Sequence, residues 1–181
     1  DMMNWWLDRG IDGFRMDAIN FISKRASLPD SPVAGGGMYA NGAPSYVSGP
    51  RVHEFIQEMM RAVFGYRTRD YLVVGETDGV TVEEALLFTD SLRGELDMVF
   101  QFEHMRLDYG PGGKWDHLQM NLCDFKTITN RWQHSLADRG WNSLYLGNHD
   151  QPRSVSRFGD DAEYRYESAT LWATVMYLQR G

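Results

Sequence analysis

Residues 71–80 read YLVVGETDGV, a short apolar run followed by Gly75 and Glu76. An apolar run of this length that ends at a glycine is typical of a strand in the interior of a sheet. The sequence therefore predicts a strand over 71–75, with Glu76 at the point where the strand ends.

The segments on both sides of this strand have helical patterns. After it, TVEEALLFT at 81–89 begins with Thr81 and has Glu84 three residues later, which is the signature of a capping box at a helix N-terminus. Before it, 51–64 has apolar residues at every fourth position, which predicts a helix with a buried stripe. The members of that stripe are Phe55, Met59 and Val63.

Further out, strand and helix patterns alternate along the chain. The other predicted strands are 13–17, 96–102 and 141–147. The other predicted helical segments are 1–9, a turn into helix over 19–24, 122–138 and 161–179. Strand–helix order repeated four times predicts an α/β fold with a parallel sheet and right-handed crossovers. Such a chain is half of an eight-stranded (β/α) barrel or one open doubly wound sheet. No Gly-rich dinucleotide turn follows the first strand, which argues against the open sheet.

A long segment over 28–50 is rich in Gly, Pro and Ser. Loops of this length in a compact domain are usually functional or mobile. Because no linker divides the chain, we expect one domain over 1–181, with an active-site loop at about 28–50.

Composition excludes several classes of protein. The chain has 181 residues, 43% of them hydrophobic, which is enough to fold around a core, and its net charge of −7 argues against nucleic acid as a partner. Cationic anchoring to a membrane is equally unsupported, and the apolar run 171–178 is too short to span a bilayer. The single Cys123 excludes an internal disulfide and favours a cytoplasmic location.

Acidic residues end three of the four predicted strands. They are Asp17, Glu76 and Asp150. In a (β/α) barrel, catalytic groups lie at the carboxyl ends of different strands, so the three carboxyl groups can meet at one mouth. The alternative is that each acid caps the helix that follows it, since anions favour helix N-termini.

Two of these acids have neighbours that suit different chemical roles. Arg15 lies two residues before Asp17, so both side chains leave the strand on the same face and the guanidinium keeps the carboxylate ionised, as a nucleophile requires. Glu76 follows an apolar run, and partial loss of water would raise its pKa and keep it protonated as a general acid. The alternatives are a structural ion pair at Arg15 and a water-exposed glutamate.

A metal site is not predicted. His149 is a candidate ligand beside Asp150, but no second histidine stands at ligand spacing. The other histidines, each expected to be structural, are His53, His104, His117 and His134.

Three segments together resemble a known family. GIDGFRMDAINFISK at 10–24, VVGETDGV at 73–80 and LGNHDQPRSVSRFGDD at 146–161 are similar to the second, third and fourth conserved regions of glycoside hydrolase family 13, the α-amylase superfamily. GPRVHEFIQEMM at 49–60 and VFQFEHM at 99–105 resemble its oligo-1,6-glucosidase and α-glucosidase subgroup.

The resemblance implies a role for each candidate residue. Asp17 matches the nucleophile, Glu76 the general acid/base and Asp150 the transition-state stabiliser of a retaining glycosidase. The implied substrate-binding residues are Arg15, His149 and Arg153. The implied substrates are small α-glucosides or oligosaccharides.

The same resemblance implies that the chain is an internal piece of the catalytic barrel, roughly strands four to seven with their helices. The first conserved region and any calcium site would lie upstream of Asp1, so no cofactor is expected in this segment. The piece alone is expected to be inactive and prone to aggregate. Ala18, after the nucleophile, favours α-1,4 substrates such as maltose or sucrose, or a broad range, because relatives that prefer α-1,6 bonds often have Val there.

Three other functions are weighed against α-glucoside hydrolysis. A transglycosylase or isomerase of the same family, such as a trehalose synthase or sucrose isomerase, would use the same carboxyl groups. The arginine-rich loop of sucrose isomerases is replaced here by RLDYGPGG at 106–113. A non-catalytic transporter subunit is disfavoured because all three acids are present. A metal-dependent hydrolase would need the acids and His149 as ligands.

Overall fold

The computed structural model describes residues 1–31 and 39–181, so part of the predicted loop over 28–50 lies outside the described residues. The α-helices are α1 (Met2–Leu7), α2 (Val52–Phe64), α3 (Val82–Thr89), α4 (Leu122–Ser135), α5 (Ser154–Phe158) and α6 (Arg165–Tyr177). The strands are β1 (Gly13–Met16), β2 (Leu72–Glu76), β3 (Met98–Phe100), β4 (Tyr109–Gly110) and β5 (Gly113–His117).

Strands β1, β2 and β3 form a parallel sheet in that order. The register pairs Met16 with Gly75 and Gly75 with Val99, so the strands end close to one another. Gly13 opens β1 with φ of +151°, and a Cβ there would lie 1.8 Å from the Leu72 carbonyl oxygen, so only glycine allows this close approach. The predicted α/β class with parallel strands is confirmed.

The predicted fourth strand over 141–147 is wrong as a regular element. Asn142 forms a single parallel bridge with Val99, supported by the Val99 N–H donating to the Trp141 carbonyl (3.3 Å) and the Ser143 N–H donating to the Val99 carbonyl (2.8 Å). The pairing of this segment with β3 is limited to that one bridge. The segment still lies beside β3, in the position expected of the next strand.

The helices cover one face of the sheet. Buried side chains of β2 and β3, Val73 and Val99, belong to the same core as Ile56 of α2, Phe88 of α3 and Trp132 of α4. Since successive strand residues point to opposite faces, Arg15 and Glu76 lie on the other face of the sheet. The core therefore fixes which face carries the candidate site.

The predicted stripe on α2 is displaced. Val63 is buried as expected, but Phe55 is only half-buried, and the deeper contacts of α2 come from Val52 and Ile56. The Arg51 guanidinium lies 4.7 Å from the centre of the Phe55 ring, which keeps that ring at the edge of the core.

Helix α3 begins with the predicted capping box, in which the Thr81 hydroxyl accepts from the Glu84 N–H (3.2 Å) and the Glu84 carboxylate accepts from the Thr81 N–H (2.8 Å). The turn into helix over 19–24 is a single 3₁₀ turn, Ile19–Phe21. The final helix is shorter than 161–179, and α5 and the antiparallel β4–β5 hairpin were not predicted. None of the described helices is long and apolar enough to cross a membrane.

Candidate active site

The sheet register brings the first two candidate acids together. Arg15 pairs with Val74 and Met16 with Gly75, so Asp17 and Glu76 follow at the next step on neighbouring parallel strands. One face of the sheet therefore presents Arg15 and both carboxyl groups at its carboxyl edge.

The Arg15 guanidinium joins the two acids. Its Nη1 donates to Asp17 Oδ1 at 2.5 Å, and its Nη2 donates to Glu76 Oε2. The expectation that Arg15 and Asp17 share a face is confirmed. The contact with Glu76 was not predicted, because it depends on the pairing of two strands that lie 61 residues apart in sequence.

The two carboxyl groups have opposite electrostatics. The Asp17 side chain is 76% exposed, and its hydrogen bonds with Arg15 and then with Glu76 lower its pKa, helped by the charges of Arg15 and His149. The Glu76 side chain is 13% exposed, and its burial raises its pKa, with a further rise from Asp17. Both directions agree with the expectations from sequence. The arrangement favours one ionised and one protonated carboxyl group.

The turn after Asp17 also contacts Glu76. Ala18 has a left-handed backbone, with φ of 43° and ψ of 39°, which is uncommon for a residue with a Cβ. A hydrogen bond from the Ala18 backbone lowers the Glu76 pKa and so opposes part of the effect of burial. This turn brings the chain after Asp17 back towards the second acid.

A cleft of about 240 Å³ opens beside the acids. Tyr145 closes one side of it, and its hydroxyl is buried without a hydrogen-bond partner among the described residues. Burial raises the pKa of this hydroxyl, so it remains a neutral donor. The lining residues are Arg15, Glu76, Phe100, Phe102, Tyr145, Gly147, Asn148 and His149.

His149 lines the cleft, whereas Asp150 does not line it and contacts His149 instead. His149 Nε2 lies 3.4 Å from Asp150 Oδ2, and both side chains are exposed. The Asp150 backbone N–H donates to the Asn148 side chain at 2.9 Å, which shapes the turn that carries both residues. Asp150 therefore lies beside the cleft, next to His149, which lines it.

Arg153 is not brought to the acids. It lies at the start of α5 and lines a separate cavity of about 450 Å³ between 144–155 and α6. That cavity shares Tyr145, Gly147 and Asn148 with the cleft. The role of Arg153 in substrate binding stays a prediction.

His104 has the structural role expected of it. Its Nε2 donates to the Tyr145 carbonyl at 2.6 Å, and its Nδ1 accepts from the Gln101 amide at 2.8 Å. Burial lowers its pKa to about 4, so the ring is neutral and fastens the segment at Tyr145 to the loop after β3.

The remaining histidines give no metal centre. His53 pairs with Glu95 at 2.6 Å, and His134 is exposed on α4. The side chain of His117 lies outside the described part of the structure. In the ranges that the structure describes, no group of three or more His, Cys, Asp or Glu side chains could hold a metal ion.

The aromatic residues that line the cleft were not predicted from the sequence. Phe100 and Phe102 lie two residues apart at the end of β3, a spacing that puts both on one face of a strand, and that signal was available. Tyr145 carried no such signal, because its segment becomes part of the site only through its contacts with Phe100, Phe102 and His104.

Comparisons with known proteins agree with this geometry. An oligo-1,6-glucosidase from Parageobacillus thermoglucosidasius is 57% identical over 181 residues, which make up 100% of this chain and 32% of that protein. The crystal structure of a trehalose-6-phosphate hydrolase from Bacillus licheniformis superimposes with a TM-score of 0.87 at 42% identity, covering 99% of this chain and 31% of the other. An isomaltulose synthase from Erwinia rhapontici NX5 superimposes with a TM-score of 0.87 at 34% identity, covering 100% and 32%.

The chain thus spans about a third of the length of these relatives. The family model described as the α-amylase catalytic domain matches all of residues 1–181. This match and the position of the acids at the strand ends lead to one conclusion: the chain belongs to the α-amylase family, glycoside hydrolase family 13.

Proposed function

We propose that this chain carries the catalytic carboxyl groups of a retaining α-glucosidase that hydrolyses α-glucosidic bonds in small oligosaccharides such as maltose, sucrose or isomalto-oligosaccharides. One observation carries the proposal. Asp17 and Glu76 end neighbouring strands, bind one guanidinium, and have pKa values shifted in opposite directions. Retaining glycosidases need this division between an ionised nucleophile and a protonated acid.

The reaction proceeds in two displacements. In the first, Glu76 donates its proton to the glycosidic oxygen while the Asp17 carboxylate attacks the anomeric carbon; the bond to the leaving oxygen breaks and a glycosyl ester forms. In the second, the ionised Glu76 takes a proton from a water whose oxygen attacks the same carbon, and the Asp17 carboxylate leaves. Two inversions at one carbon retain the α configuration.

Other residues of the site bind and stabilise the sugar. His149, in the wall of the cleft, is placed to donate to a sugar hydroxyl, and Asp150 would accept from hydroxyl groups as the ring distorts. Arg15 keeps Asp17 ionised until substrate arrives. Arg153, in the adjoining cavity, would contact a more distant part of the substrate.

We also infer that the chain contributes strands four to seven of a complete (β/α) barrel, with the loop at 28–50 near the active site. Helix α6 supports this, because Trp172 is its one buried residue among those described, whereas Leu171 and Tyr177 are 59% and 77% exposed. Exposed apolar faces of this kind are normally covered by other elements of a domain. The isolated 181 residues should then be inactive and prone to aggregate, and any calcium site would belong to the upstream part. A cytoplasmic location stays a prediction from the single cysteine.

The test uses the complete polypeptide that contains this chain, assayed on p-nitrophenyl α-glucoside, maltose, isomaltose and sucrose. Asp17→Asn and Glu76→Gln should each lower kcat/KM on the disaccharides by about 10²-fold or more, since acid–base assistance alone contributes roughly 10²–10⁴-fold. The controls are Asp12→Asn and Glu58→Gln, two exposed acids away from the cleft. The first-formed glucose should be the α anomer by NMR. Near-wild-type turnover in either site variant, or a β product, would refute the proposal.

The preferred linkage has two conflicting indications. Ala18 favours α-1,4 bonds, whereas the name of the 57% identical relative refers to α-1,6 bonds. The ratio of kcat/KM for isomaltose to that for maltose decides between them. A ratio above one assigns the α-1,6 preference and removes Ala18 as an indicator.

Isomerisation of sucrose is the second candidate, because an isomaltulose synthase has the same local fold. The same carboxyl groups would act, with a sugar hydroxyl in place of water as the acceptor. The hairpin β4–β5 stands where the arginine-rich loop of sucrose isomerases is expected. Product analysis from sucrose separates the two functions, since hydrolysis gives free glucose and fructose and isomerisation gives a rearranged disaccharide.

A further inference from the structure

A buried asparagine links the two loops that follow the candidate catalytic strands. Asn20 lies three residues after Asp17, in the 3₁₀ turn Ile19–Phe21, and is fully buried. Its Nδ2 donates to the backbone carbonyl of Asp78 at 2.9 Å, and Asp78 lies two residues after Glu76. Because a carbonyl oxygen can only accept, this contact requires the amide nitrogen of Asn20 at that position.

The chain around Glu76 is held from its other side as well. Thr77, also fully buried, donates to the Phe100 carbonyl from both its backbone N–H (3.1 Å) and its hydroxyl (3.2 Å). Residues 77 and 78 are thus fixed to β3 on one side and to Asn20 on the other. Glu76 has little freedom to move relative to Asp17.

The turn that carries Asn20 is itself fixed. The Asn20 carbonyl accepts from the Ser48 N–H at 2.9 Å, which attaches it to the segment before α2. Ile19 packs against Gly75, where a Cβ would lie 2.9 Å from Ile19 Cγ2. The Asn20 amide therefore connects two segments, the turn Ile19–Phe21 and residues 77 and 78, that are each held in place by other contacts.

We propose that Asn20 is a positioning residue that sets the separation between the carboxyl groups of Asp17 and Glu76. The inference rests on the proposed function. A retaining glycosidase requires the two groups roughly 5–5.5 Å apart, and an error of about 1 Å can cost around a hundredfold in rate. Without the amide, the loop after Glu76 loses its connection to the turn after Asp17, and the proton of Glu76 no longer meets the glycosidic oxygen while Asp17 attacks.

The choice of leaving group distinguishes positioning from simple destabilisation. A sugar alkoxide leaves only when it is protonated, whereas fluoride departs with little help from an acid. A displaced Glu76 should therefore slow maltose and isomaltose far more than α-glucosyl fluoride. Partial unfolding would lower both rates by the same factor, because it only removes active enzyme. The measured quantity is kcat/KM, which reports formation of the glycosyl ester.

The experiment compares Asn20→Leu with Asn142→Leu in the complete polypeptide. Asn142 is a matched control, since it is buried and, like Asn20, has a side-chain oxygen without a hydrogen-bond partner among the described residues. Asn20→Leu should raise the ratio of kcat/KM for α-glucosyl fluoride to that for the disaccharides by about tenfold or more, part of the 10²–10⁴-fold that acid catalysis supplies. Asn142→Leu should leave the ratio unchanged.

An unchanged ratio in Asn20→Leu overturns the inference, whether both rates fall together or neither changes. If Asn20→Leu is insoluble, the smaller Asn20→Ser is measured by the same ratio and decides in the same way. Glu76→Gln separates the two levels of failure. If it raises the ratio and the Asn20 variants do not, only the positioning role is wrong; if it leaves the ratio unchanged, the proposed function is wrong.

Discussion

Asp17 and Glu76 bind the same guanidinium, and yet their pKa values shift in opposite directions. Asp17 is exposed, so its hydrogen bond with Arg15 determines the shift, and its pKa falls. Glu76 is largely buried, so the loss of water outweighs the charge of Arg15, and its pKa rises. A single cation thus binds two carboxyl groups whose pKa values are shifted apart.

Replacing Arg15 should move the pH dependence of activity. Arg15 lowers the pKa of Asp17 and opposes the rise at Glu76, so Arg15→Met should raise both pKa values. The proposed mechanism requires Asp17 ionised and Glu76 protonated, and both limbs of the profile of kcat/KM against pH should therefore move to higher pH. The measurement is that profile on p-nitrophenyl α-glucoside.

The control is Arg69→Met, which removes an exposed ion pair with Asp12. Its profile should match the wild type. An acidic limb that stays in place or moves to lower pH in Arg15→Met would exclude Arg15 as the group that lowers the Asp17 pKa.

His104 should make the fold sensitive to acid. Burial lowers its pKa from the ordinary value of 6.5 to about 4, so the folded protein holds the ring neutral. The neutral His104 ring therefore makes its full contribution to the free energy of unfolding above pH 6.5, the pKa of the ring in the unfolded chain. That contribution is lost as the pH decreases from 6.5 to about 4. The loss is about 3 kcal/mol over that window. Urea unfolding at a series of pH values measures it.

His104→Gln removes the titrating ring and should flatten this dependence. His134→Gln, at an exposed position of α4, is the matched control and should keep the wild-type slope. An unchanged slope in His104→Gln would mean that other groups cause the acid sensitivity.

Removing one partner of the ion pair between Arg157 and Asp108 should lower the free energy of unfolding. Both side chains are 1% exposed, with Nε and Nη2 of Arg157 each 2.5 Å from a carboxylate oxygen. Arg157→Met should lower the free energy of unfolding by about 3–5 kcal/mol, because it removes one partner of a buried ion pair and both of its hydrogen bonds to Asp108. The double variant Arg157→Met/Asp108→Leu should recover part of the loss, because it also removes the buried carboxylate, whereas the Arg157 hydrogen bonds to Gln151 and to the Met105 carbonyl stay lost.

The exposed pair Arg51 and Glu54 provides the comparison, and removing it should change stability by less than about 1 kcal/mol. Denaturant unfolding of these three variants and of the wild-type protein gives the values. If Arg157→Met is no less stable than the double variant, the buried charge of Asp108 does not cause the loss of stability.

A side chain at Gly75 should destabilise the fold. A Cβ there would lie 2.4 Å from Leu96 Cδ1 and 2.9 Å from Ile19 Cγ2. Gly75→Ala should cost about 1–3 kcal/mol of stability through overpacking, and should lower kcat/KM because Ile19 precedes Asn20 in the same turn. Thermal unfolding and the p-nitrophenyl α-glucoside assay measure both effects.

Leu96→Val removes the nearer clashing atom and should restore part of the stability of Gly75→Ala. Gly42→Ala, where the nearest atom is a Tyr46 ring carbon at 3.2 Å, is the control and should be close to wild type. Equal stability of the Gly75 and Gly42 variants would show that Leu96 and Ile19 make room without cost.

Sequence patterns located β1, β2, β3 and most of α2, α3 and α4, because periodicity and caps depend on residues a few positions apart. The capping box at Thr81 is the clearest case, since both of its hydrogen bonds lie within one turn. The same patterns failed at 141–147, where the segment forms one bridge with β3 instead of a continuous ladder, because pairing with a distant strand is not fixed by residues a few positions apart.

The amino-acid sequence by itself determined that Asp17 and Glu76 lie at strand ends, that Arg15 shares a face with Asp17, and which family the motifs resemble. Only the tertiary structure decided that Arg15 also binds Glu76, that Asn20 connects the two catalytic loops, and that Arg153 lies in a different cavity from the acids. The physical reason is how far apart in the sequence the interacting residues lie. The side a residue takes on a strand follows from its immediate neighbours, whereas a contact between residues about sixty positions apart exists only after two strands have paired and their helices have packed on one face.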